Sequence, residues 1–228
     1  RSSWTVENAT LKYGGDPSNE CAEVWNSTFH VYQDLTDIPN GIYKLSMQGF
    51  YRVGGGANNG AIAAEQWANG TTQLNAVLFA NEERLPLMSI MEEAKEGTAP
   101  DADNYYKTSN GYIPQSLSGA SNFFWGNCYT QELSVVVTDG TLRIGVEKTT
   151  ASSNDWTCFD NFQLTYMGKS NEIDDAQENF YQEEDEDYNV VTYTRNFKDT
   201  HWQPFYVPFQ TSYETIKDDF DVAYINNV

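Results

Sequence analysis

From Leu133 to Gly168 apolar residues return at every second position, a period that suits a strand with one buried face and not a helix. Leu133, Val135 and Val137 form one row, Asp139-Gly140 follows, and Leu142, Ile144 and Val146 alternate back. Asp-Gly accepts the positive φ angles of a type I′ turn, so the spacing predicts a two-residue β-hairpin. The next segment, DWTCFDNFQLTYMG, sets Trp156, Cys158, Asp160, Phe162, Leu164 and Tyr166 on one period-2 row. All but Asp160 suit a buried face. A buried carboxylate without a partner is costly. Asp160 is therefore expected to pair with Arg52 or Arg143, to accept backbone hydrogen bonds, or to help hold Ca²⁺, an ion that collects oxygen ligands.

The rest of the chain supports an all-β reading. Aromatic residues make up 14% of it, with 15 Tyr, 12 Phe and 6 Trp, and aromatic and β-branched residues favour pleated, half-buried surfaces. Strands are expected at Phe29–Leu35, Ile42–Arg52 and Asn75–Ala80, a loop at GGGANNG (54–60), and a short helix over 86–96. Residues 97–128 read as a long excursion that caps the domain or binds something. Residues 171–187 hold nine acidic residues and no basic one, the pattern of an extended linker. Beyond it, VVTYTRNF and WQPFYVPF look like strands, too few for a core of their own. The expected organisation is a β domain over 1–169, an acidic linker over 170–189, and the start of a second β-rich domain or an appendage over 190–228.

The formal net charge of -20 disfavours nucleic acid and anionic membranes, both of which need clustered Lys and Arg. No apolar run reaches the length that spans a bilayer. The chain begins at Arg1 without Met, so a removed leader is expected to be invisible in it. Cys21, Cys128 and Cys158 lack CxxC spacing and are odd in number, so they are expected to be small buried hydrophobes with at most one disulfide among them. The chain has no GxSxG, HExxH or GxxxxGK[ST] motif, and His30 and His201 are its only histidines. Paired carboxylates for a glycoside hydrolase are available in Glu7, Glu20, Glu23, Glu65, Asp103, Glu132 and Asp160, but availability alone discriminates nothing.

Sugar binding fits the composition better. Pyranoses offer flat apolar faces edged by hydroxyls, so their sites combine an aromatic platform with polar side chains at the rim. The candidates are Trp67 and Trp125 as platforms in polar, Gly-rich surroundings, with Tyr51, Arg52 and Asn58 around the Gly loop. Arg52 would grip hydroxyls with its planar fork.

NECAEVWNSTFHVYQDLTDIPNGIYKLSMQGFYR, LFAN, ELSVVVTDGTLRIGVEK and DWTCFDNFQLTYMG together resemble a domain repeated in large surface proteins of polysaccharide-degrading gut bacteria. The resemblance covers residues 1–168 and implies a galactose-binding-domain-like jelly-roll β-sandwich, the shape of many carbohydrate-binding modules, with short helices in its loops. It implies a non-catalytic glycan-binding module of a secreted or cell-surface bacterial protein, with other domains of that larger protein as neighbours. It also implies a structural Ca²⁺ near the terminal strands, to which Glu7 and Asp160 correspond. The alternative is a structural or adhesive spacer that presents neighbouring domains, with a glycoside hydrolase third.

Overall fold

In the computed structural model, which describes residues 3–55, 59–109, 111–174 and 190–194, the alternating segments become strands of two facing sheets. The first sheet runs in spatial order β1 (Thr5–Glu7), β4 (Phe29–Leu35), β12 (Leu142–Lys148), β6 (Ala76–Ala80) and β7 (Glu83–Pro86). The second runs β11 (Thr130–Val137), β5 (Gly41–Arg52), β13 (Trp156–Gly168), β3 (Cys21–Trp25) and β2 (Lys12–Gly14). Neighbours in both are antiparallel, and the short β8 (Met88–Ser89) lies parallel to the end of β5. The chain passes back and forth between the sheets, and the core lies between them. This is the expected all-β jelly-roll sandwich. Two short helices, α1 (Asn59–Ala68) and α2 (Leu117–Trp125), sit in its connections. No helix among the described residues is long and apolar enough to cross a membrane.

The chain divides into two units, Arg1–Gly168 and Lys169–Val228. In the second, β14 (Ser170–Asp174) pairs in parallel with β15 (Val190–Thr194). The expected acidic linker thus opens with a strand. Its remainder over 175–189 lies outside the described residues, as do His201 and the WQPFYVPF segment.

Alternation explains β5. Tyr43, Leu45, Met47 and Tyr51 point into the sandwich, and Lys44 and Ser46 point outward half-exposed. From Gln48 onward the outward row is buried too. Phe50 packs on Phe124, Tyr129 and Trp156 at ring distances of 5.9, 4.9 and 5.0 Å. The cover comes from the 97–128 excursion, which folds as a hairpin of β9 (Tyr105–Thr108) and β10 (Gly111–Pro114) followed by α2. The excursion therefore caps the outer face of the second sheet, as expected.

Three expectations change. The Asp139-Gly140 turn does not close a hairpin, because β11 pairs with β5 in one sheet and β12 with β4 and β6 in the other. Gly140 takes φ 73° while Asp139 is not left-handed, so the turn is not type I′. The turn arches across the sandwich, held by Asn40, whose Oδ1 accepts from Gly140 N and whose Nδ2 donates to Thr138 O. Both apolar rows still reach the core, from opposite sides.

The row on β13 is also interrupted. The register slips by one residue between Asp160 and Gln163, a β-bulge at which Asn161 takes φ 56°. Trp156 and Cys158, opposite Arg52 and Phe50, face the capped outer side, whereas Leu164 and Tyr166, opposite Leu45 and Tyr43, face inward. Asp160 stands at this switch and is half-buried. Residues 86–96 are not helical. Leu87 N donates to Ala76 O and Ile90 N to Tyr51 O, so the sheets take the backbone donors that a helix would have used. Leu87, Ile90 and Met91 are nevertheless buried, which the spacing anticipated.

One position tests the packing of the first sheet. A Cβ on Gly145 of β12 would lie 2.1 Å from Val31 O and 2.7 Å from the Phe79 ring. Gly145→Ala is expected to push β12 away from β4 and cost about 2 kcal/mol or more. Urea unfolding would show it, and an unchanged midpoint would mean that the strands can part freely.

Candidate functional site

The end of α2 creates a cleft. Ser116 caps the helix, its Oγ accepting from Gly119 N at 3.1 Å. Ala120, Phe123 and Phe124 turn inward, which leaves Trp125 on the open side, 73% exposed. Gln48 fixes the end of the helix on the sheet. Its Nε2 donates to Phe124 O at 2.9 Å and Cys128 O at 3.0 Å, and its Oε1 accepts from Asn161 Nδ2.

Beside that anchor lies a cleft of about 420 Å³, within the size range of about 300–1,000 Å³ for small-molecule sites. Ser46 and Gln48 of β5 form its floor, Thr130 of β11 and Asn127 one wall, and Asn161 and Gln163 of β13 the other. Trp125 stands at its edge. No lining side chain is charged, which sets the cleft apart in a chain of net charge -20. It offers amides and hydroxyls around one large aromatic face. Beyond it, Lys44 and Glu132 neutralise each other at 3.0 Å on the same sheet face.

Trp125 is the sequence-predicted site residue that the cleft takes up. Trp67 lies on α1, 39% exposed, and does not border it. Asn58 lies outside the described residues. Arg52 is 5% exposed, its guanidinium 5.1 Å from the Trp25 ring and 4.9 Å from the Trp156 ring. It stacks in a cation–π sandwich and does not reach out toward a ligand. Burial lowers its pKa to about 10, against the pull of Glu23 and Asp155.

Tyr51 is wholly buried. Its hydroxyl donates to Asp155 Oδ2 at 3.1 Å and accepts from Asn75 Nδ2 at 3.1 Å. Burial, and then the Asp155 charge, push its pKa up to about 12. A folded-state value above the unfolded value near 10 means that this stabilisation is whole below pH 10 and lost as pH climbs toward 12. The expected size is of the order of 2 kcal/mol. Arg52, with its lowered value, acts in the opposite sense over the same window. Tyr51→Phe isolates the tyrosine: the stability gap between wild type and this variant is expected to narrow from pH 9 to pH 11.5. A gap that stays constant in urea unfolding would contradict the assignment.

Glu7 and Asp160 lie on different sheets of the sandwich. Glu7 sits on β1 of the first sheet, where its Oε2 meets His30 Nδ1 at 3.4 Å and its Oε1 accepts from Tyr32 OH at 3.2 Å. Asp160 belongs to β13 of the second sheet. Among the described residues no group of three or more His, Cys, Asp or Glu is placed to hold a metal ion. These residues do not fit the implied Ca²⁺ site. The arginines considered for Asp160 are engaged elsewhere, Arg143 with Asp34 at 2.6 and 2.9 Å and Arg52 between its tryptophans.

Two acids, Glu20 and Asp160, do border a second cavity, together with Trp4, Leu11, Tyr13 and Phe162. At about 140 Å³ it is smaller than sugar-sized sites of about 300 Å³ and above. The larger cleft contains no carboxylate.

No family model matches the chain, and no curated protein matches it. Among solved structures it is similar to TmCBM61 in complex with β-1,4-galactotriose, with 12% identity, TM-score 0.37, and coverage of 72% of this chain and 89% of that one. It is similar also to CBM35 from Paenibacillus barcinonensis, with 12% identity, TM-score 0.31, and coverage of 72% and 93%. A CBM4 structure matches at 8% identity and TM-score 0.32, with coverage of 72% and 95%.

Proposed function

We propose that the cleft beside Trp125 binds a neutral glycan and that the protein is a non-catalytic carbohydrate-binding module. The observation that carries this is the combination of an indole 73% exposed with a lining of amides and hydroxyls and no charged group. A sugar ring would stack on the indole while Asn127, Thr130, Asn161 and Gln163 exchange hydrogen bonds with its hydroxyls. A cleft without carboxylates has neither the acid nor the nucleophile of glycoside hydrolysis. The lack of any basic group there disfavours uronic acids, and the overall negative charge repels polyanions at longer range. Export or display at a bacterial cell surface, beside other domains of a larger protein, completes this reading and rests on the sequence resemblance.

Isothermal calorimetry of the full chain against neutral polysaccharides and polyuronates tests the proposal. Saturable heat with a neutral glycan, and none with polyuronates, is the expected result. No heat with any neutral glycan at millimolar sugar would sink it and favour the spacer. That second reading draws on the placement of Trp67 and Arg52, neither of which joins Trp125 at the cleft.

A further inference from the structure

We propose that Cys21 and Cys158 form a reversible disulfide behind the wall of the Trp125 cleft. Both are fully buried, their sulfurs are 3.6 Å apart, and 137 residues separate them in the chain. The pairing of Cys158 with Glu23 and of Phe159 with Ala22 puts Cys21 one diagonal step from Cys158 across adjacent strands. That places both side chains on one face of the sheet. The start of α2 closes over them, with Leu117 O 3.6 Å from the Cys21 sulfur. Cys128 takes no part in this pair. Its sulfur lies 3.8 Å from Gly126 O in the turn after α2. The odd count of three thiols thus resolves into one pair and one remaining thiol.

Sulfurs in van der Waals contact must close by about 1.5 Å to bond at the usual length of about 2.05 Å. Rotation about both Cα–Cβ bonds, with a small strand shift, covers that distance. A diagonal cross-strand link is not relaxed geometry, so the bond would be reducible and not a permanent staple. The oxidant is a low-molecular-weight disulfide such as glutathione disulfide. One cysteine thiolate attacks it to give a mixed disulfide and release one glutathione, and the second cysteine displaces the other. Two protein thiols lose two electrons and two protons, and one disulfide is reduced to two thiols. Burial pushes the Cys158 thiol well above its ordinary range. Closure is therefore slow once α2 has docked and fast during folding. Asn19 and Asn161, which line the cleft, are two and three residues from the bonded cysteines, so the link would tie both of these positions together.

The test uses the full chain, unfolded in urea and refolded in parallel with glutathione disulfide or with a phosphine reductant. Each sample is then denatured, alkylated and weighed by mass spectrometry. The expected result is one alkyl group on the oxidised protein and three on the reduced one, with a Cys21–Cys158 cross-linked peptide in the unreduced digest. Cys128→Ser is expected to leave no alkylation site after oxidation. The oxidised protein should melt several degrees higher. Three alkyl groups after oxidative refolding, or a cross-link through Cys128, would overturn the proposal. The peptide map needs no cysteine variant to fold.

Discussion

Replacing Lys148 with Met while Asp155 stays in place is expected to destabilise the first unit by about 3–5 kcal/mol, the usual cost of stranding one charge of a buried pair. Lys148 Nζ meets Asp155 Oδ1 at 2.7 Å, and both side chains are completely buried. The remaining carboxylate oxygen is also engaged, since Oδ2 accepts from Tyr51 OH at 3.1 Å and from Ser152 N at 3.0 Å. The main chain of the aspartate continues the network, its carbonyl accepting from Asn26 N at 2.9 Å. One aspartate thus ties the ends of β12 and β5 to the loop after β12 through its carboxylate, and to the loop after β3 through its carbonyl. Burial pulls the Lys148 ammonium below its ordinary range even against the hold of Asp155, so the site tolerates charge only because it is paired. The double variant Lys148→Met/Asp155→Asn is expected to recover part of the loss, because the stranded charge is gone. Urea unfolding followed by tryptophan fluorescence gives both numbers. A single variant within 1 kcal/mol of wild type would show that water reaches the pair.

The second large effect concerns binding alone. Trp125→Ala is expected to weaken glycan affinity about 30-fold, roughly 2 kcal/mol, the scale of a central aromatic contact. Stability should hardly change, because a side chain 73% exposed contributes little to the core. Trp67→Ala is the matched control, an exposed tryptophan of the same unit outside the cleft, and should bind like wild type. Calorimetry on the best ligand of the neutral panel reads both. Equal weakening by the two variants would detach recognition from the cleft. Gln48→Ala should act indirectly. It removes the amide that holds the end of α2 to β13, so affinity should fall together with some stability.

How much of this could be read in advance varies from residue to residue. Strand β5 was legible because alternation of apolar and polar residues fits a half-buried strand and little else, and β6 because it is a short apolar run. The region after Pro86 shows the limit of that reasoning. Apolar spacing identifies which side chains are buried, but Leu87 and Ile90 give their backbone donors to other strands. The bulge at Asn161 was invisible, because one left-handed residue reverses the inward row and leaves no mark in composition. Trp125 stood out by its polar surroundings. Gln48, Asn161 and Gln163 did not, since polar residues on a strand ordinarily mean only an exposed face. Tyr51 and Arg52 looked accessible beside a Gly-rich loop, but Tyr51 points into the sandwich and Arg52 is buried between Trp25 and Trp156.

Local chemistry, then, was in the sequence: which segments are extended, which residues seek burial, and the lack of any motif for nucleophilic or metal catalysis. Such properties depend on neighbours a few positions apart, and periodicity reports them directly. Tertiary structure decided everything that joins distant segments. It sent Asp139-Gly140 across the sandwich instead of around a hairpin. It matched Lys148 with Asp155, brought Cys21 to Cys158, and folded α2 over half a sheet so that one tryptophan borders a neutral cleft. Pairings of that kind are set by which surfaces exclude water together, and no single stretch of chain contains that information.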